Sequence, residues 1–409
     1  MTANSASEFV PFRRPPGRSA SLLRVSSQEL NRRWDALRSA MEREGVDVLL
    51  AQSDNDFTGG YVKYLADAQP FGGFTITVVF SRDRGTTAIT SGKSDDVDMS
   101  ADVDGQWRGV DRLLTAPSFA AAGWSALNEQ RSIIRALDGF GSATVGLLGK
   151  QQLSVSTMDA IRDAYPSIRF IDASSFVDAL KSIKSPEEQS LMRLTCQMQD
   201  EAMVAAINEV RPGMWDRDVS VMLHEITGSL GSTQGLYVAA SGNRDSLAGA
   251  KLLPEQRRQI GEGDMVHMFI ESNGPSGHWA HLTRTVVLGK APSELSDELE
   301  FALRAQAFTV DGLRPGAMPG DVFREYNEFL RENGRPEEPR VHCHAQGFDI
   351  AERPFITPEE TMAIQAGMIF ASHPIYVHRG YFNWVCSNFL ITDDGSEQLH
   401  QSPTGIYER

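Results

Sequence analysis

Through residue 175 the chain alternates between two hydrophobic periods, and this alternation restricts the fold more than any other feature. Ser27 to Glu44 repeats apolar residues at helical spacing, and the short apolar run VDVLLA (Val46 to Ala51) follows at once. Further strand-like runs stand at FTITVVF (Phe74 to Phe80), TVGLLG (Thr144 to Gly149) and IRFIDA (Ile168 to Ala173). Helices interleaved with short buried strands predict an α/β layer domain.

Near residue 183 the pattern changes. Ser185 and Pro186 form a helix start, Glu187 and Glu188 suit the positive end of its dipole, and the helix is predicted to run to Pro212-Gly213. Helices over Asp216 to Leu230, Ser293 to Leu313 and Pro319 to Asn333 then mix with strands over Met265 to Glu271, Thr283 to Leu288 and Met368 to Ser372. Strands able to pair antiparallel indicate an α+β domain. The expected organisation is a polar, basic, proline-containing arm over residues 1–26, an α/β domain over 27–182 and an α+β catalytic domain over 183–409. No internal repeat of solenoid period is present.

Charge and cysteine usage limit the partners. A net charge of −15 repels phosphate, so neither nucleic acid nor an anionic membrane is an expected partner, and a small-molecule substrate is. No apolar run is long enough to span a bilayer, and the N-terminus has no hydrophobic signal core. Three cysteines, Cys196, Cys343 and Cys386, make no disulfide framework, which fits a reducing cytoplasm.

Histidine is distributed unevenly. The first 175 residues hold none, whereas seven of the nine lie between His267 and His378. Such a concentration calls for a chemical reason.

Five stretches, GEGDMVHMFIE, LTRTVVLGK, HAQGFDIAERP, AGMIFASHPIY and SNFLITDDGSEQL, occur in the order in which the creatinase, prolidase and methionine aminopeptidase family carries its C-terminal landmarks. ALKSIKSPEE resembles that family's inter-domain junction. The resemblance spans the chain from about residue 30 to 400 and implies a pita-bread fold for the second domain and a homodimer.

In the family's metallopeptidases two aspartates, one histidine and two glutamates hold a pair of divalent ions. The resemblance places the first aspartate at Phe269 or Ile270, the second at His281, the histidine at His344, one glutamate at His373 and the other near Cys386. Two substrate-side histidines of the family fall at Ala351 and near Gly249. Carboxylates do the bridging in a dinuclear centre, so their loss predicts that this chain is not an aminopeptidase.

Glu271 shares a strand face with His267 and Phe269, at the relative position of an acidic ligand in the family's dimethylsulfoniopropionate lyase branch. The expected constellation is therefore Glu271, His281, His344 and His373 around one divalent transition ion, Fe, Mn or Zn, with Ni also compatible and Cys386 a doubtful further ligand. His267, His278 and His342 are candidates for catalytic or ligand-orienting roles. Arg353, Arg379 and Arg244 are candidate anion clamps, Tyr376, Tyr381 and Trp384 a candidate pocket wall, and Arg284 a structural anchor.

Four chemistries fit this set. The leading expectation is a non-peptidase hydrolase or lyase acting on a small anionic or chelating substrate. An Fe- or Mn-dependent oxygenase could use the same ligands, which resemble those of cupin dioxygenases. A metal-free C–N hydrolase in the manner of creatinase and a non-catalytic protein complete the alternatives.

Overall fold

The computed structural model describes residues 23–99, 107–119, 121–243 and 253–409. Most of the expected arm, Arg244 and Gly249 lie outside the described residues. The chain forms two compact units, one over Val25–Lys181 and one containing Ser182–Arg409. No helix of the described residues is long and apolar enough to cross a membrane.

The first unit comprises α1 (Ser27–Glu44), β1 (Val48–Ser53), α2 (Gly60–Ala66), β2 (Ile76–Ser81), β3 (Thr87–Ser91), β4 (Asp96–Asp98), β5 (Arg112–Ala116), α3 (Ala126–Ala136), β6 (Thr144–Leu147), α4 (Val155–Ala164), β7 (Arg169–Asp172) and α5 (Ser174–Lys181). Its seven strands form one mixed sheet in the order β4-β5-β3-β2-β1-β6-β7. Leu50, Ile89, Leu114 and Val145 pack with Ile133 and Ile161 of α3 and α4 in a buried cluster. This is the α/β layer that the alternating periods predict.

The first strand begins at Val48 and not at Val46. Gly45 takes a left-handed conformation at the end of α1, and the Val46 N–H bonds back to Met41 O, so helix termination uses the residues that sequence assigns to the strand.

The second unit comprises α6 (Pro186–Glu209), α7 (Asp216–Ser229), β8 (Gly235–Gly242), β9 (Met265–Asn273), β10 (Trp279–Val287), α8 (Ser293–Gly312), α9 (Pro319–Glu332), β11 (Cys343–Ala345), β12 (Glu352–Phe355), β13 (Ile369–Ser372), β14 (Ile375–His378), β15 (Tyr381–Trp384), β16 (Ser387–Ile391), β17 (Ser396–Gln398) and β18 (Ile406–Glu408). One sheet runs β18-β10-β9-β8 and a second runs β12-β11-β13-β16-β17. An isolated bridge between Thr283 and Cys386 ties β10 to the residue before β16.

Both β9 and β10 are longer than their apolar patterns indicate. Gly274 N–H bonds to His278 O across the turn, which lets Trp279 pair with Asn273 and His281 pair with Glu271. Every residue of both strands is buried, so their polar members face protein instead of water and the alternation that marks a half-exposed strand is lost. α6 and α7 cover one face of this sheet, where Met203, Ala206, Leu223, Met268 and Leu282 meet.

Candidate metal centre

Three of the four expected ligands come together. His281 sits on β10, His344 on β11 and His373 directly after β13, so both large sheets of the second unit contribute. One ring nitrogen from each lies within 4.8 Å of the other two, and all three residues are buried. Ring centroids are 5.0 Å apart for His281 and His373, 5.0 Å for His344 and His373, and 6.5 Å for His281 and His344. The antiparallel pairing of β11 with β13, continued by the His373 N–H donating to His342 O, holds His344 and His373 in register.

The imidazoles are prepared for a cation. Burial holds all three below the usual histidine range, reinforced at His281 and His373 by the neighbouring imidazoles, so they are neutral and need release no proton on binding. His344 donates through Nδ1 to Ala345 O at 2.9 Å, which leaves Nε2 as the lone-pair nitrogen. His281 Nδ1, His281 Nε2 and His373 Nε2 are buried without a hydrogen-bond partner among the described residues. One lone-pair nitrogen from each neutral ring, converging in this way, fits one ion of the borderline transition series. They do not fit a carboxylate-bridged pair.

Glu271 stands beside the cluster and not in it. Its Oε1 is 3.4 Å from the neutral His281 Nδ1 and accepts from Gln346 Nε2 at 3.0 Å. Burial, opposed by the Gln346 bond, pushes the carboxyl up to about 8. Glu271 is thus the one expected ligand that does not join the histidine cluster among the described residues.

The remaining candidates divide by location. His267 bonds through Nδ1 to Thr285 at 2.9 Å and lies edge-on to Phe382, with burial lowering it to about 4. His278 bonds to Ser276 at 2.9 Å and packs against Phe348. His342 stacks on Tyr326 at 3.7 Å, and burial lowers it to about 3. None of these three imidazoles belongs to the cluster.

Trp384 reaches the centre through Phe269. The Phe269 ring is 4.7 Å from the Trp384 ring and meets His281 edge-on at 4.7 Å. Tyr376 instead donates to Glu298 O at 2.9 Å, Arg379 is half exposed and 3.8 Å from Glu298, and Arg353 pairs with Glu360 at 2.6 Å. The structure thus does not gather the two arginines and Tyr376 around the histidines. Tyr381 is buried in the cluster that also holds Phe269, Phe382 and Trp384. Arg284 donates to Cys386 O at 3.1 Å and Ser402 O at 2.9 Å, the geometry of an anchor. Cys386 is buried, donates to His281 O at 3.4 Å and is pushed well above the usual thiol range by burial.

Two family models match the chain. The creatinase/prolidase N-terminal domain matches residues 33–183, and metallopeptidase family M24 matches residues 190–394, half of the chain. The chain belongs to metallopeptidase family M24. Among M24 relatives, the Xaa-Pro dipeptidase of Pyrococcus furiosus is 26% identical over 63% of this chain and 73% of its own, and that of Pyrococcus horikoshii is 26% identical over 54% and 63%. The crystal structure of X-Pro aminopeptidase from Thermotoga maritima superposes with a TM-score of 0.75 at 17% identity, over 92% of this chain and 99% of that one. The Xaa-Pro dipeptidase structure from Bacillus anthracis gives 0.73 at 20%, over 93% and 100%. These superpositions show the α/β and pita-bread fold.

Membership in M24 and the dipeptidase relatives overturn the expectation of a non-peptidase hydrolase or lyase and the exclusion of an aminopeptidase. No finding supports the lyase and oxygenase alternatives. That exclusion equated loss of carboxylate ligands with loss of the reaction class. Ligand identity sets which ion a site prefers and does not by itself exclude peptide hydrolysis.

The sequence reading missed Gln346, Asn388 and His400, which bond around the centre. His400 is outside the dense histidine run, and Gln and Asn carry no spacing signal, so only the fold brings them in.

Proposed function

We propose that this protein is a metal-dependent peptidase acting on short peptides of the Xaa-Pro type, with one divalent transition ion held by His281, His344 and His373. The observation that carries the reading is the convergence of three neutral, buried imidazoles on an M24 scaffold. The names of the relatives support the substrate class. The resemblance to the wider family supports a homodimer, for which light scattering should give the mass of two chains.

A bound divalent ion supplies Lewis acidity toward the scissile carbonyl and toward water. The chain's own groups supply the rest. Glu271, beside His281, holds a proton at its carboxyl within reach of the centre and can pass it to the departing nitrogen. Phe269 and Trp384 form an aromatic wall next to His281 that suits the apolar ring of a prolyl residue and keeps water off that side. Gln346 restricts the Glu271 carboxylate to one orientation.

The test is metal content by mass spectrometry on protein purified without chelator or nickel affinity, with hydrolysis of an Xaa-Pro dipeptide panel under added Mn, Zn, Co or Fe. One ion per chain, lost in His281→Ala, with prolyl dipeptide cleavage abolished by chelation, is the expected result. An inert panel under every metal would sink the peptidase reading, and absence of uptake would sink the centre.

A further inference from the structure

One continuous buried chain of hydrogen bonds is left over by this chemistry. Gln199 of α6 donates through Nε2 to Ala280 O at 2.7 Å and so turns its Oε1 to His400, whose Nε2 donates at 3.1 Å. His400 Nδ1 accepts from the backbone N–H of Asn388 at 3.1 Å. The Asn388 side chain then divides: Oδ1 accepts from the backbone N–H of His281 at 2.7 Å, and Nδ2 donates to Gln346 Oε1 at 2.9 Å. Gln346 Nε2 donates onward to Glu271 Oε1 at 3.0 Å and to Ile350 O at 2.7 Å.

The sense of this chain is forced. A backbone N–H can only donate, so Asn388 must present its oxygen to His281 and its amide N–H to Gln346. Gln346 must then present oxygen to Asn388, which leaves its own N–H for Glu271 and for a backbone carbonyl that can only accept. Reversing either amide would set donor against donor at one end and leave buried groups unpaired. All of these groups except Ile350 are buried or nearly so, which makes the unpaired alternative costly.

We propose that Asn388 is the positioning residue of the histidine centre, fixing the β10 backbone at His281 and, through Gln346, aiming the Glu271 carboxylate at the Nδ1 of that same imidazole. The two arms converge on one ring. Glu271 Oε1 lies 3.4 Å from His281 Nδ1, outside hydrogen-bond geometry, and its partial negative charge there favours the proton on Nδ1 over Nε2, leaving Nε2 of His281 as the lone-pair nitrogen, as it is in His344. Asn388 is not a catalytic residue, since its bonds end on backbone and on Gln346. The consequence for metal binding rests on the reading of the three histidines as a metal centre, whereas the consequence for the His281 tautomer does not.

The experiment uses the full-length protein in two steps. Nitrogen-15 histidine NMR on metal-free protein should show His281 as the Nδ1–H tautomer in the wild type and a mixture of tautomers in Asn388→Ala. Gln346→Met, which cuts the relay without touching the β10 backbone, should give the same mixture and keeps the test sound should Asn388→Ala fold poorly. Titration with Co(II) alone should then show affinity reduced about 10- to 100-fold in both variants, with an altered visible spectrum and unchanged far-ultraviolet circular dichroism. An unchanged His281 tautomer in both variants would overturn the proposal, as would wild-type Co(II) affinity in both. Absence of Co(II) uptake by the wild type would instead refute the metal centre, with the tautomer comparison still deciding the role of Asn388.

Discussion

His400 can keep both of its hydrogen bonds only as the neutral Nε2–H tautomer, because its Nδ1 must accept from the Asn388 N–H while Nε2 donates to Gln199. Burial lowers it to about 4 from an ordinary 6.5. A depressed folded-state value means that the unfolded chain takes up the proton first as pH falls. The stabilising contribution is therefore full above about 6.5 and lost progressively as pH drops toward about 4, a difference on the order of 3 kcal/mol. Urea midpoints measured from pH 7 to pH 4 should fall less steeply in His400→Gln than in the wild type; equal slopes would remove His400 from the acid response. Cys386 gives a second prediction at this scale. Its thiol is buried, protonated and directed to a backbone carbonyl, so Cys386→Ala should leave the metal stoichiometry of the wild type intact, and a lost ion would make it a ligand after all. Composition marks seven histidines as a group, and the family resemblance singles out His281, His344 and His373 among them. Glu271 is expected as a metal ligand and stands beside the cluster instead, and its bond to Gln346 is not legible, since a side chain's partner across 75 residues leaves no local trace.

At the scale of elements, the start of α6 shows what sequence reads well. Ser185 Oγ accepts from the Glu188 N–H at 3.2 Å while Glu188 accepts from the Ser185 N–H at 2.7 Å, a reciprocal cap that the letters SPEE announce. Ser185→Ala should cost about 1 kcal/mol in urea unfolding, and a loss below a few tenths would show that tertiary packing holds the helix end unaided. The β14 and β15 hairpin shows what sequence reads poorly. Its strands are four residues each and turn at Arg379 and Gly380, both at positive φ, with no Asn-Gly or Asp-Gly signal. What secures the hairpin lies far away on α8, where the fully buried Glu298 takes a bidentate pair from Arg335 at 3.0 Å and a bond from His378 at 2.9 Å. Such long-range ion pairs have no periodicity to detect.

The molecule as a whole separates its cores. One buried cluster centred on Leu50 and Ile133 belongs to Val25–Lys181, and those centred on Met203 and on Phe370 belong to Ser182–Arg409, which also holds all three clustered histidines. A ligand that binds only the folded state stabilises what it binds by mass action, about 2.7 kcal/mol at a concentration one hundred times its dissociation constant. For a unit of this size that corresponds to a rise of about 5–10 °C in its midpoint. Because His281 comes from one sheet and His344 and His373 from the other, an ion held by all three would resist separation of those sheets, and nothing in the Val25–Lys181 core shares that link. Scanning calorimetry with and without added Co(II) should therefore raise one transition and leave the other in place, with limited proteolysis assigning the raised one to the second unit. In His281→Ala the rise should vanish. A rise that persists in this variant would place the ion elsewhere, and a rise confined to the first unit would refute the centre described here.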